Sequence, residues 1–148
     1  MMLQMVNGAR DSIRNWLEEE SIQYNIVEDS QNDYHLKFWF SRGLQLHTIF
    51  KNHKITVSID RQFSHAMINS FTTQKPHSHK LDLELHMQNA RFVLLHADQA
   101  NTQLFGMRIF KDIWDDSLTR TSFFDTAATV EHSYYIVEIN ERELARIN

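Results

Sequence analysis

The run Tyr34-His35-Leu36-Lys37-Phe38-Trp39-Phe40-Ser41-Arg42-Gly43-Leu44-Gln45-Leu46-His47-Thr48-Ile49-Phe50-Lys51-Asn52-His53-Lys54-Ile55-Thr56-Val57-Ser58-Ile59 decides the fold. Its period is two: Tyr34, Leu36, Phe38 and Phe40 alternate, then Leu44, Leu46, Thr48 and Phe50, then Ile55, Val57 and Ile59. Successive residues of a strand point to opposite faces, so each segment reads as a half-buried strand and each interruption as a turn. Parity fixes the pairing. A three-residue turn at Ser41-Arg42-Gly43 sets Phe40 against Leu44 and Phe38 against Leu46, and Gly43 then occupies the left-handed position such loops require. A two-residue turn at Arg42-Gly43 would set Phe40 against Gln45, and a one-residue slip of this kind turns every side chain to the wrong face. Likewise a two-residue turn at Asn52-His53 pairs Phe50 with Ile55, Thr48 with Val57 and Leu46 with Ile59. The prediction is an antiparallel meander.

The flanking sequence supplies helices. Before the meander, Asn7 reads as an N-cap and Ala9, Ile13, Trp16 and Leu17 recur at helical spacing, which predicts an amphipathic helix over 8–21. Ile22, Tyr24 and Ile26 alternate as a strand, and Asp29 to Asp33 form a turn. Beyond Asp60, Phe63, Met67 and Phe71 predict a short helix that stops before Pro76. Residues 80–97 fit two templates. Leu81, Leu83, Leu85 and Met87 alternate like a strand, while Leu81, Leu85, Phe92 and Leu95 share a helix face, and the length favours helix. Phe105, Met107 and Ile109 start a strand ending near Trp114. Asp115-Asp116-Ser117 reads as turn and N-cap for a helix over 118–132 burying Phe123, Phe124, Ala127 and Val130, and Tyr135, Val137 and Ile139 read as a last strand. The expected fold is one α+β domain over residues 1–148, an antiparallel sheet of the meander plus flanking strands packed by helices, in the order α-β-β-β-β-α-α-β-α-β.

Composition narrows the chemistry. A chain of 148 residues suits one domain, and 42% hydrophobic content with 10 Phe, 4 Tyr and 3 Trp excludes disorder. Without Cys there is no thiolate nucleophile, disulfide or zinc–thiolate site. A net charge of −4 opposes non-specific nucleic-acid binding, which needs clustered Lys and Arg. Met1-Met2-Leu3-Gln4-Met5-Val6 lacks a secretory pattern and Phe92-Val93-Leu94-Leu95 is too short to cross a bilayer, so a cytoplasmic protein without membrane partners is expected. Gly8, Gly43 and Gly106 stand too far apart for a P-loop, a dinucleotide fingerprint or GxSxG.

The run Ile109-Phe110-Lys111-Asp112-Ile113-Trp114-Asp115-Asp116-Ser117-Leu118-Thr119-Arg120-Thr121-Ser122-Phe123-Phe124-Asp125, the helix carrying Trp16-Leu17 and the strand start Asp33-Tyr34-His35-Leu36 resemble an uncharacterised archaeal group, domain-of-unknown-function family 2299. Ser117 stands where the family's turn has Gly. The order of elements also resembles type III secretion chaperones, a likeness that implies a homodimer holding extended segments of client proteins.

Three groups of residues are candidates for function. If Phe38 and Leu46 face the core, then His35, Lys37 and Trp39 share the other side with Gln45, His47 and Ile49, and large apolar groups on an otherwise polar sheet face make Trp39, Ile49, His47 and Lys37 the candidate contact patch for a second protomer or a client. On a helix, His79, Asp82 and His86 lie at i, i+3 and i+7 with His77 upstream, a set able to hold a divalent metal. Asp112, Asp115 and Asp116 could bind Mg²⁺, although carboxylates before a helix more often cap it. The leading expectation is a non-enzymatic, homodimeric interaction module that needs no cofactor. The alternative is a small metal-binding protein or metal-dependent hydrolase using His79, Asp82 and His86.

Overall fold

Phe38 lies opposite Leu46, Thr48 opposite Val57 and Phe50 opposite Ile55, so the register read from parity is the register observed. The Phe40 N–H donates to the Leu44 carbonyl at 2.7 Å, closing the three-residue turn. Within that turn Arg42 and Gly43 take φ of 58° and 74°. Asn52 and His53, at 53° and 63°, form the two-residue turn of a tight hairpin, whose left-handed pair matches the twist of the strands it joins.

The structure is a computed structural model that describes the backbone over residues 2–73 and 75–147 and side chains over 8–73 and 79–146. Its elements are α1 (Met2–Glu19), β1 (Tyr24–Ile26), β2 (Tyr34–Trp39), β3 (Gln45–Lys51), β4 (Lys54–Gln62), α2 (His65–Thr73), α3 (Lys75–Met87), β5 (Arg91–His96), β6 (Leu104–Trp114) and α4 (Arg120–Ile147). The class is α+β with an antiparallel six-stranded sheet ordered β1-β2-β3-β4-β6-β5.

Four local expectations are corrected. α1 starts at Met2, so Asn7 lies inside the helix rather than capping it. The helix expected over 80–97 stops at Met87. Asn89 turns left-handed (φ 60°), the Ala90 N–H donates to the Leu85 carbonyl and the Asn89 N–H to that of His86, a Schellman stop, after which Phe92 to Leu95 run as β5. The strand expected at Tyr135, Val137 and Ile139 is helical, within α4. Three alternating apolar residues carry little weight against a spacing of three and four that runs through Phe123, Ala127, Val130, Ser133, Val137, Asn140 and Leu144, all buried. Finally, Thr119 rather than the Asp pair caps α4: its Oγ1 accepts from the Ser122 N–H at 3.0 Å while the Ser122 Oγ accepts from the Thr119 N–H at 2.8 Å.

The chain divides into two compact units, residues 1–58 with 111–128, and 59–110 with 129–148. In the first, Ile13 and Leu17 of α1, Leu36 and Phe38 of β2, Leu46 and Phe50 of β3, and Ile55 and Val57 of β4 are buried together with Phe123 and Ala127. Phe123 packs its ring 5.7 Å from Phe38 and 6.2 Å from Trp16. In the second, Ile59, Met67, Leu81, Leu85, Met107, Ile109, Val130 and Val137 are buried. There Phe71 stacks on Phe63 and meets Phe92 edge-on.

Candidate functional site

The first unit's meander has one apolar face that is fully buried and a more polar face that is largely half-buried, because its apolar residues alternate with polar ones along every strand. The half-buried face carries the residues parity assigns to it. Trp39 lies opposite Gln45, Lys37 opposite His47 and His35 opposite Ile49, and Thr56 and Ser58 of β4 follow opposite Ile49 and His47. Trp39, Ile49, His47 and Lys37 are all half-buried. The Lys37 ammonium sits 5.2 Å from the indole centroid of Trp39, a cation–π contact that holds the amine over the ring.

Trp39 also forms part of a cleft of about 570 Å³, lined chiefly by Ile22, Gln23, Trp39, Phe40 and Phe124. Its shape follows from local sequence. Ser21 (φ 55°) ends α1 in a Schellman turn, with the Ile22 N–H on the Leu17 carbonyl at 2.8 Å, and the chain then enters β1 against β2, where the Trp39 N–H donates to the Gln23 carbonyl. Phe40 and Phe124 stack nearly parallel at 6.5 Å. Arg120 bonds Glu19 and Glu20, leaving an apolar lining with a charged rim. This combination is what a docking pocket for an apolar side chain requires. Ile49, His47 and Lys37 do not line it.

Beside the cleft's strand, three polar side chains form a chain that spacing alone does not reveal. The His35 Nε2 and His47 Nδ1 atoms are 2.7 Å apart, and the His35 Nδ1 lies 3.1 Å from the Asp29 Oδ2. Asp29 is fixed by the Asn32 amide at 2.6 Å and the Gln31 N–H at 2.9 Å, and these hydrogen bonds hold its carboxyl below the ordinary range. The legible part was the shared face of His35 and His47. The missing part was Asp29, which a turn rather than a strand delivers.

The remaining candidates are placed apart. His79, Asp82 and His86 are exposed on α3, the His77 side chain lies outside the described residues, and among the described residues no three His, Cys, Asp or Glu side chains are grouped to hold a metal. Asp112 accepts from the Thr56 hydroxyl at 2.6 Å and lies 3.7 Å from the Lys54 amine, while Asp115 contacts the His53 ring at 2.9 Å. These two carboxylates therefore brace the turn between β3 and β4. Asp116 is exposed and accepts from Ser117.

The second unit has its own polar cluster. Glu141 accepts from Arg61 at 2.5 Å through Oε1 and from the Ser64 N–H at 2.9 Å through Oε2, and the guanidinium lies 4.8 Å from the Tyr134 ring centroid. Burial pushes the Glu141 carboxyl up, but the bonds from Ser64 and Arg61 outweigh it and leave the group below the ordinary range. No helix among the described residues is long and apolar enough to cross a membrane.

Comparison with known proteins places the chain in a family. The model of the family described as "Uncharacterized conserved protein (DUF2299)" matches residues 9–139, and the chain belongs to that family. A crystal structure of an uncharacterized protein from Methanothermobacter thermautotrophicus has a similar fold, with a TM-score of 0.75 at 17% identity over 91% of this chain and 97% of that one. No curated protein matches.

Proposed function

We propose that this member of the DUF2299 family is a non-enzymatic interaction module, a homodimer that holds an extended segment of a client protein in the manner of a chaperone. The observation that carries the reading is the cleft at Trp39, where Ile22, Phe40 and Phe124 join the indole behind a charged rim. Aromatic side chains in a partly formed pocket are the usual anchors of protein interfaces. β1 adds to this, since it is a three-residue edge strand whose backbone can accept a further strand beside the cleft. Lys37, His47 and Ile49 extend the surface along the meander. We place the protein in an archaeal cytoplasm, in keeping with the organism of the structural neighbour.

Two measurements test this. Light scattering at micromolar concentration should give about twice the 17.6 kDa of one chain, and a monomer at every concentration removes the dimer. Trp39→Ala should weaken association by about 2 kcal/mol, roughly 30-fold, while leaving the denaturant midpoint much less affected. If folding is lost instead and wild-type association is absent, the indole is part of the core and the reading falls.

A further inference from the structure

We infer that two copies of this chain meet edge to edge through β5, with the flanks of their α3 helices aligned about the same two-fold axis. The inference rests on the homodimer reading and names the surface that joins the copies, leaving the cleft at Trp39 to the client. The sheet order ends at β1 on one side and at β5 on the other. β1 offers three residues, whereas β5 offers six, Arg91–His96, with neither Lys nor Pro among them to discourage a partner strand. The Ala97 N–H donates inward to the Gln103 carbonyl, so by the alternation of a strand the backbone groups of Phe92, Leu94 and His96 point out from the edge. Among the described residues no strand pairs with that side. Leu94 shares a face with Phe92, which meets Phe71 of α2, yet it stays 37% exposed, and Val93 on the other face is exposed as well.

Symmetry fixes the register. A two-fold axis normal to the sheet keeps the helices of both copies on one side, and it requires one residue of β5 to face its own copy. Centred on Val93, the axis sets Phe92 opposite Leu94 of the second copy, apolar against apolar, and these are the residues whose backbone groups point outward. Centred on Leu94, it would set Phe92 opposite His96. Because the contact uses the same edge of both copies, it closes at two.

Charge on α3 matches this arrangement. Leu81 and Leu85 are buried and Glu84 accepts from Asn140 of α4, so Asp82 and His86, exposed and one turn apart, lie on the flank away from α4. α3 packs on β5 and, with only the turn at Asn89 between them, runs antiparallel to it. The two strand steps from Arg91 to Val93 cover about 6.6 Å, which is about four residues of helix counted back from the end of α3 at Met87. The axis through Val93 therefore crosses near Leu83 and Glu84. About that point an antiparallel second α3 brings its His86 to Asp82 and its Asp82 to His86, a carboxylate facing an imidazole on both sides of the axis. This self-complementarity favours a second copy over an unrelated strand. As rim groups, the two residues set the alignment more than the affinity.

The test uses the full chain, which has no Cys, so that a single introduced thiol reports the contact. Val93→Cys should form an intermolecular disulfide under mild oxidation, because facing strand residues carry Cβ atoms about 4.5–5.5 Å apart, near the span of a cystine. Trp114→Cys, also exposed, should not. In sedimentation equilibrium, His86→Glu sets carboxylate against carboxylate twice and should raise the dissociation constant about 10-fold or more, and adding Asp82→Lys should restore it. These two positions lie on an exposed helix flank, so they keep the test decisive should the strand variant misfold, and circular dichroism checks the fold of each. A wild-type dimer that neither cross-links through residue 93 nor responds to His86→Glu overturns the β5 contact and leaves the homodimer reading standing. The same holds for a dimer that Trp39→Ala dissociates and these variants do not. A wild-type monomer at every concentration overturns both, and a mass that grows beyond two copies overturns the closed contact.

Discussion

Two polar clusters around a carboxylate, one in each unit, are built to different ends. In the second unit both oxygens of Glu141 are taken, one by Arg61 and one by the Ser64 N–H, and the cation is covered by Tyr134. The side chains of Arg61 and Glu141 are only 13% and 15% exposed. A closed arrangement of this kind fixes structure, because a lost partner leaves a charge stranded away from water. In the first unit the carboxylate of Asp29 stands behind the His35 imidazole, whose far nitrogen is hydrogen-bonded to His47, and the Asp29 and His35 side chains are as enclosed as the ion pair, at 18% and 13% exposed. There Asn32 and the Gln31 N–H also hold the carboxylate, so the loss of His35 leaves it satisfied. The difference separates a cation that depends on one counter-charge from a carboxylate with several partners.

Substitutions that break the closed cluster should therefore cost the most. Glu141→Ala should lower unfolding free energy by about 3 kcal/mol in urea denaturation, since Arg61 is left without its counter-charge. The sign with pH is set by a folded carboxyl that binds its proton less readily than the unfolded one. Its contribution is present above the ordinary carboxyl range, near pH 4 to 5, and is lost as the pH falls through the folded value. Glu141→Gln should accordingly flatten the acid side of the stability profile. An unchanged acid limb would show that the pair is not what resists acid.

Next in size is Gly106→Ala, also in the second unit, because a Cβ at Gly106 would stand 2.3 Å from the Arg61 carbonyl oxygen. Relief requires the strands to move, for about 2 kcal/mol, read as a shifted urea midpoint. His35→Ala, in the first unit, should cost only about 1 kcal/mol, the net worth of ordinary hydrogen bonds, because Asp29 keeps Asn32 and the Gln31 N–H. If it costs as much as Glu141→Ala, the contrast between the clusters is wrong. The smallest effect belongs to His79→Ala combined with His86→Ala, exposed on α3, which should shift stability by less than about 0.5 kcal/mol.

What could be read in advance divides along the chain for a physical reason. Between Tyr34 and Ile59 every apolar residue marks a face and every turn has a residue suited to positive φ, so pattern and backbone agree and the register follows from counting. Beyond Lys80 the marks thin out. α4 buries Ser133 and Asn140 among its apolar residues, and the Asn140 Nδ2 donates to Glu84 and to the Ile136 carbonyl, so the helical period is carried partly by polar residues that an apolar count skips. Asn89, which ends α3, looks from sequence like any surface amide. At the candidate site Trp39 could be placed by parity, whereas the cleft around it could not, because Ile22 and Phe124 lie far away in sequence. Asp29 escaped because a turn, outside the period of the strand, brings it back onto His35.

The interleaved make-up of the two units bears on synthesis. Once the ribosome has delivered residues 1–58, the first unit still lacks 111–128, and the second cannot finish until 129–148 emerges. At roughly 5–20 residues per second, the meander leaves the ribosome about 4–14 seconds before the helix carrying Phe123 can cover its apolar face. During that interval Phe38 and Leu46 have Ile13 and Leu17 of α1 to pack against but not Phe123, and the nascent meander exposes more apolar surface to aggregation than the finished protein does.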